Sequence, residues 1–291
     1  MSAATIPSVT RGVALMVLAI FLFTAMDATA KGLIARYPAP QVIWVRFAGQ
    51  LVLVLLILRH HLGPVLRTRF PVLHVWRSAS QFGATTFFFL SLPFVGLAEA
   101  TAIADINPVL ITLGAALFLG ERLGPRRIAG VVVALIGALI VIRPGAGVFT
   151  WWAILPLLCA ISYAISALLT RKIGAQESVW ASMVYAALFG TIVAGAALPF
   201  VWKPIAPADL WQFGLIACLG TGAQLCIIRS FSITEASVVA PFAYLGIVFA
   251  TIWGVVLYDD WPDRWTVIGA LVIVGAGLYV WHRETRAARP A

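Results

Sequence analysis

Residues 97–101 read Leu-Ala-Glu-Ala-Thr and residues 233–237 read Ile-Thr-Glu-Ala-Ser, so Glu99 matches Glu235 at an offset of 136. The match extends both ways. Glu121 falls against Asp259, Arg126 against Arg264 and Gly137-Ala138 against Gly275-Ala276 at 138, while Lys31 falls against Lys172 at 141. The chain reads as a duplicated half. Chance recurrence of short apolar words is the competing explanation.

Around these words the sequence is almost devoid of charge. Of 291 residues, 62% are hydrophobic and 11% charged. A soluble domain carries about 25% charged residues, and a disordered chain more still, so both classes are excluded. No charge lies between Arg77 and Glu99, Arg143 and Arg171, Glu177 and Lys203, Asp209 and Arg229, or Glu235 and Asp259. Each gap holds the roughly 20 apolar residues of a membrane-spanning helix. With the tighter gaps and three charge-bearing stretches, ten spans are expected, starting near residues 12, 42, 73, 97, 128, 151, 179, 210, 236 and 265. The runs do not alternate, which argues against β-barrel strands. The expected class is an all-α integral membrane protein of two five-helix repeats, 12–143 and 151–283. Five is odd, so the second repeat would enter the membrane inverted.

The basic residues set the expected orientation. Loops on one side, from Arg11 through Arg59, Arg122 and Arg171 to Arg289, hold 13 of the 20 Lys and Arg; those on the other hold 5. The positive-inside rule then puts both termini in the cytoplasm. This topology also accounts for the net charge of +9. Nucleic-acid binding is set aside because no dense basic patch exists. The first span, which carries Asp27, is not read as a cleaved leader. Cys159, Cys218 and Cys226 lie in apolar spans without a CxxC pair, so neither metal nor disulfide chemistry is expected.

Inverted repeats are a signature of secondary transporters, with the substrate between the halves near mid-membrane. The words within the repeats point the same way. Pro108-Val109-Leu110, Leu119-Gly120-Glu121, Gly130 and Ile136-Gly137-Ala138, with Ala240-Pro241 and Gly275-Ala276 in the second half, resemble the EamA domains of the drug/metabolite transporter superfamily. The second half departs from that pattern with Tyr258-Asp259 in place of Gly-Glu. Phe23-Thr24-Ala25-Met26-Asp27 and Leu97–Ile103 resemble a bacterial riboflavin importer branch. The resemblance implies a small organic metabolite as substrate, riboflavin uptake first and amino-acid export second.

Ionisable groups inside a span cost roughly 2.5–3.5 kcal/mol on insertion scales and normally face a cavity or a partner. Asp27, Lys31, Arg46, Glu99 and Asp105 break the apolar pattern, all in the half of the membrane away from the termini. Asp27 and Lys31 are one turn apart and can pair. Arg46 is suited to a carboxylate on the fourth span. The group reads as a gate or cavity wall, against the alternative of charges that only pin helices together. Pro108 and Pro241 each remove a helix hydrogen bond in corresponding spans, and broken helices in both repeats point to a binding site. Asn107 and Tyr244 lie beside them, and Gln224 is a further polar candidate. Glu121 with Arg126, and Asp259 with Arg264, read as structural clamps at loops.

No phosphate loop, HExxH or GxSxG is present, so no enzyme and no cofactor is expected. The expected partners are the substrate, the bilayer and, if transport is coupled, protons carried by Asp27, Glu99 or Asp105. Facilitated diffusion stands beside coupling, and a non-transporting scaffold or sensor is the reading of another class. Oligomeric state is not legible.

Overall fold

The computed structural model describes residues 6–59, 63, 68–119, 125–142, 151–173, 177–233 and 240–287. The helices run in the order α1 (Ile6–Ile34), α2 (Ala39–Leu58), α3 (Pro71–Ser91), α4 (Leu97–Ala104), α5 (Asn107–Leu119) and α6 (Pro125–Ile142), then α7 (Ile154–Ile173), α8 (Val179–Val201), α9 (Leu210–Ile233), α10 (Leu245–Tyr258) and α11 (Arg264–Ala287). Short 3-10 turns at Trp151–Ala153, Pro207–Asp209 and Ala240–Tyr244 lead into α7, α9 and α10. No strand occurs among the described residues.

Local chemistry explains the helix starts. Proline opens α3 and α6, and Pro40 lies in the first turn of α2; there the missing N–H has no intrahelical partner to lose. At α8 the Ser178 side chain caps the Trp180 N–H at 3.2 Å, a standard N-cap. Five segments are long and apolar enough to cross a membrane: Thr10–Ile34, Ala39–Leu58, Trp151–Thr170, Val179–Val201 and Pro207–Ile227. Ile128–Val141, Phe242–Tyr258 and Arg264–Ala276 are shorter apolar helices. Phe118, Trp151, Phe200 and Leu271 are exposed, a surface unsuited to water and suited to lipid.

One expected span divides in two. The stretch from 97 to 119 is α4 and α5, separated at Asp105-Ile106. Asp105 leaves helical geometry at ψ 4° and gives its N–H to Thr101 at 2.9 Å. Pro108 is therefore the second residue of α5 rather than a mid-helix kink, and the break lies just ahead of it. Pro241 falls in the 3-10 turn that precedes α10.

α1 lies against α9 and α10, α2 against α8 and α9, and α3 against α7 and α8; α4 meets α10, α5 meets α7, and α6 pairs with α11. Phe47, Phe89, Leu33, Leu97 and Ile216 are fully enclosed at the centre. Between α6 and α11 the backbones touch: a Cβ on Gly269 would stand 2.7 Å from the Gly137 carbonyl oxygen, and one on Gly137 would stand 3.0 Å from that of Gly269. In lipid, where burial of apolar surface drives little, such small-residue approaches hold helices together.

Candidate functional site

At the C-terminal end of α1, Lys31 does not pair with Asp27. Its ammonium donates to Asp260 Oδ2 at 2.7 Å. The same oxygen accepts the Leu97 N–H, the first of α4, at 3.0 Å. Position 96, the N-cap, is glycine, so α4 has no capping side chain of its own, and the carboxylate from beyond α10 supplies the missing acceptor. A Cβ on Gly96 would lie 2.9 Å from Asp260 Oδ1; glycine leaves room for the carboxylate. Asp260 is aimed there by Asp259, which ends α10 at φ 51°, a left-handed conformation unusual for a residue with a side chain. The Tyr258 hydroxyl donates to the Ala28 carbonyl, and Lys31 lies 5.2 Å from that ring. Together these contacts fasten α1, α4 and the α10–α11 turn. Glu99 lines a cleft of about 200 Å³ with Gly96, Asp260, Trp261 and Asp263 on the same end.

Deeper lie the remaining charges. Asp27 is one turn below Lys31, and Arg46 on α2 is its electrostatic neighbour. Arg46 does not reach a carboxylate on α4. Its Nε donates to the Met26 thioether at 3.3 Å, its guanidinium lies 4.7 Å from the Phe47 ring centroid, and its sealed Nη1 has no acceptor. Asp105 stands at the α4–α5 break with Oδ2 sealed and unpartnered. Asn107 opens α5 half-buried, and Tyr244 is buried beside Ile106 and Val109. Gln224 is half-buried on α9. For Pro108 and Pro241 the structure gives backbone placement alone. The structure thus gathers Asp27 with Arg46, and Lys31 with the Glu99 turn, rather than joining all five charges in one network.

Sequence reasoning missed Asp260 and a second fastening at the Lys31 end. There Asp209 takes an ion pair from Arg36 and a hydrogen bond of 2.7 Å from the Tyr37 hydroxyl, which accepts the Ala206 N–H at 3.0 Å. Gln41 and the Lys203 backbone exchange bonds of 2.8 and 3.0 Å. At the opposite end Glu177 accepts from the Arg69 N–H at 2.7 Å and the Thr68 hydroxyl at 2.9 Å, with His74 at 3.8 Å. The Arg69 N–H foremost holds the Glu177 carboxyl below the usual carboxylate range. The signal for these ties was an uncapped glycine start for Asp260, and polar residues at turns for the others. The expected Asp259–Arg264 clamp is replaced: Asp259 accepts from the Trp261 indole at 2.9 Å and Arg264 lies over Trp265. Glu121 is outside the described residues. Among the described residues no cluster of three or more metal-ligating side chains occurs.

The EamA-like transporter family model matches residues 10–143 and again 150–281, and the chain belongs to that family. The pseudopaline exporter of Pseudomonas aeruginosa is 31% identical over 91% of this chain and 94% of its own length. The S-adenosylmethionine uptake transporter of Rickettsia bellii is 26% identical over 95% of each chain. The riboflavin transporter of Rhizobium johnstonii is 27% identical over 94% of this chain and 92% of its own. A solved crystal structure shares the fold with TM-score 0.68 at 20% identity, covering 96% of this chain and 99% of that one. The chain is a membrane transporter of the drug/metabolite transporter superfamily, homologous to proteins named for three different substrates.

Proposed function

We propose that the protein is a secondary transporter of a small organic metabolite in a bacterial inner membrane, working by alternating access between two inverted five-helix repeats, residues 12–143 and 151–283, with both termini cytoplasmic. The observation that carries this reading is the Asp260 carboxylate, which joins α1 to the N-terminus of α4 above Asp27, Arg46 and Asp105. A clasp of one carboxylate and two donors closes an end of the bundle and can part without breaking a helix. Asp105 lies eight residues beyond Leu97, about 12 Å deeper along the helix direction.

The packing supports the repeat. Exchanging each helix with its counterpart turns the α1–α9 contact into α7–α3, α2–α9 into α8–α3 and α1–α10 into α7–α5, while α2–α8 and α6–α11 map onto themselves. The double match of the family model supports it as well. Irregular backbone at Asp105-Ile106 and at Ala240–Tyr244 falls in corresponding spans, as expected where a bundle lines a substrate path.

Uptake of riboflavin has the Rhizobium relative's name behind it, and export of an amino-acid-like metabolite is the second reading. Both share one mechanism, in which Lys31 and Asp260 gate the path and the deeper residues Arg46, Asp105, Asn107, Gln224 and Tyr244 hold substrate. Flux into proteoliposomes, driven by a substrate gradient with and without a proton gradient, tests it. Saturable flux that depends on the protein is expected. A protein that binds a metabolite and moves none across the bilayer belongs instead to the sensor class.

A further inference from the structure

We propose that the cleft between α1 and α9, at the N-terminal end of α1, binds an anionic phospholipid. Its phosphodiester lies between Arg11 and Arg229, and an acyl chain runs along Ala14, Leu15 and Leu18. The proposal goes beyond the transporter reading and does not rest on it. The cleft holds about 500 Å³ and is lined by those five residues. The four from α1 stand at i, i+3, i+4 and i+7, which is one face of a helix. Arg11 puts its charge at one end of that face, and Leu18 lies about 10 Å farther along the axis. Ala14 and Leu18 are exposed along the face.

A buried contact sets the second arginine at the same level. The Ser230 hydroxyl donates to the Gly12 carbonyl at 2.7 Å. Arg229 and Arg11 are the chain neighbours of that pair, so the tie brings both to one level of the α1–α9 seam, and both are exposed. The seam runs antiparallel from there: a Cβ on Gly222 would lie 3.6 Å from Leu22 Cδ1, and one on Gly220 would lie 2.9 Å from Met26 Sδ. Arg11 is the second residue of the membrane-length segment Thr10–Ile34, and Arg229 lies two residues past the end of Pro207–Ile227. Cations at the ends of two such segments stand at headgroup depth, with the apolar face at acyl depth. Guanidinium forks match the oxygens of a phosphate, and basic pockets between spanning helices bind anionic headgroups. A soluble phosphate would leave Ala14, Leu15 and Leu18 uncovered, and an uncharged apolar molecule would make no use of the arginines. α1 belongs to the first family match and α9 to the second, so the lipid would bridge the two halves of the chain.

The test is native mass spectrometry of the purified full-length protein in micelles holding equal amounts of phosphatidylglycerol and phosphatidylcholine with the same chains. Phosphatidylglycerol is expected to be retained about 30-fold in preference, the effect of two arginines at a headgroup. Arg11→Gln and Arg229→Gln should each cut that preference about five-fold, and the two together should abolish it. Arg59→Gln combined with Lys172→Gln makes the same change of charge at exposed positions outside the cleft, and should leave the preference intact. Ala14→Trp, which fills the apolar face and keeps both charges, should lower retention. A phosphatidylglycerol with a diazirine on its acyl chain locates the site without any variant: after illumination with the wild-type protein, adducts mapped by peptide mass should concentrate on residues 14–18. Equal retention of the two lipids, adducts spread evenly over the exposed faces of the helices, or the same loss of preference from the Arg59 and Lys172 changes overturns the assignment. Displacement of the lipid by glycerol phosphate at equal concentration would assign the arginines to a soluble phosphate and overturn it as well.

Discussion

The Lys31 ammonium and the Leu97 backbone N–H share a single oxygen, Oδ2 of Asp260, at 2.7 and 3.0 Å. A side chain from the end of α10 thereby holds α1 and caps α4 at once. Asp260→Ala is expected to loosen both helices, and Lys31→Ala only α1. With the native cysteines replaced by alanine, labelling of Ala98→Cys, in the cleft beside Asp260 and 4% exposed, by a membrane-impermeant thiol reagent should rise in the order intact clasp, Lys31→Ala, Asp260→Ala. The pair is part-exposed, at 17% and 29% of the side chains, so its loss is expected to lower stability by no more than about 1 kcal/mol. A much larger drop would mark the clasp as structural rather than movable.

Gly137 and Gly269 let α6 and α11 meet backbone to backbone. Alanine at 269 would force its Cβ within 2.7 Å of a carbonyl oxygen, so the helices must part. Overpacking of this kind costs about 1–3 kcal/mol. Gly269→Ala should lower the melting temperature in detergent, Gly137→Ala likewise. Gly275→Ala, where an added Cβ meets nothing within 4 Å, should leave it unchanged.

Tyr37 works in both directions, donating to Asp209 and accepting from Ala206. Tyr37→Phe removes both bonds and leaves the ring against Phe213, 5.2 Å between centroids. A lower melting temperature is expected. Arg36→Gln, at a more exposed position, should have a smaller effect.

Glu177 titrates below the usual carboxylate range because its oxygens accept from Arg69 and Thr68. A depressed folded-state pKa means stabilisation that is complete above the unfolded value, near 4.5, and is lost as pH falls through the folded value. The stability difference between the wild type and Glu177→Gln should therefore shrink on acidification below that range. A difference that is constant with pH would contradict the assignment.

The membrane class was legible because a chain this short of charge has no other solvent, and several helix starts, such as those near residues 97, 151, 179 and 210, were legible from the gaps between charges. A break within 97–119 was signalled by Pro108, but its place was not legible, because it lies at Asp105-Ile106, ahead of the proline. Of the candidate residues, Asp27, Arg46 and Asp105 stand out as charge within apolar stretches. Their partners do not, because partner choice depends on three-dimensional turns. Lys31 and Asp27 share a helical face, yet the left-handed turn at Asp259 delivers Asp260 to Lys31 from 229 residues away. The glycine before α4 was the sequence's only hint that a cap must come from elsewhere.

The central claim is that the Lys31–Asp260 clasp opens and closes during transport. It is tested most directly by fixing it shut. Lys31→Cys and Asp260→Cys are combined in a background with Cys159, Cys218 and Cys226 replaced by alanine, and flux of whichever metabolite the protein carries is measured in proteoliposomes before and after bridging the two thiols with a short bifunctional methanethiosulfonate, because a Lys–Asp ion pair holds its backbones farther apart than a direct disulfide spans. Bridging should stop flux, and reduction should restore it. Undiminished flux through the cross-linked protein would contradict the account.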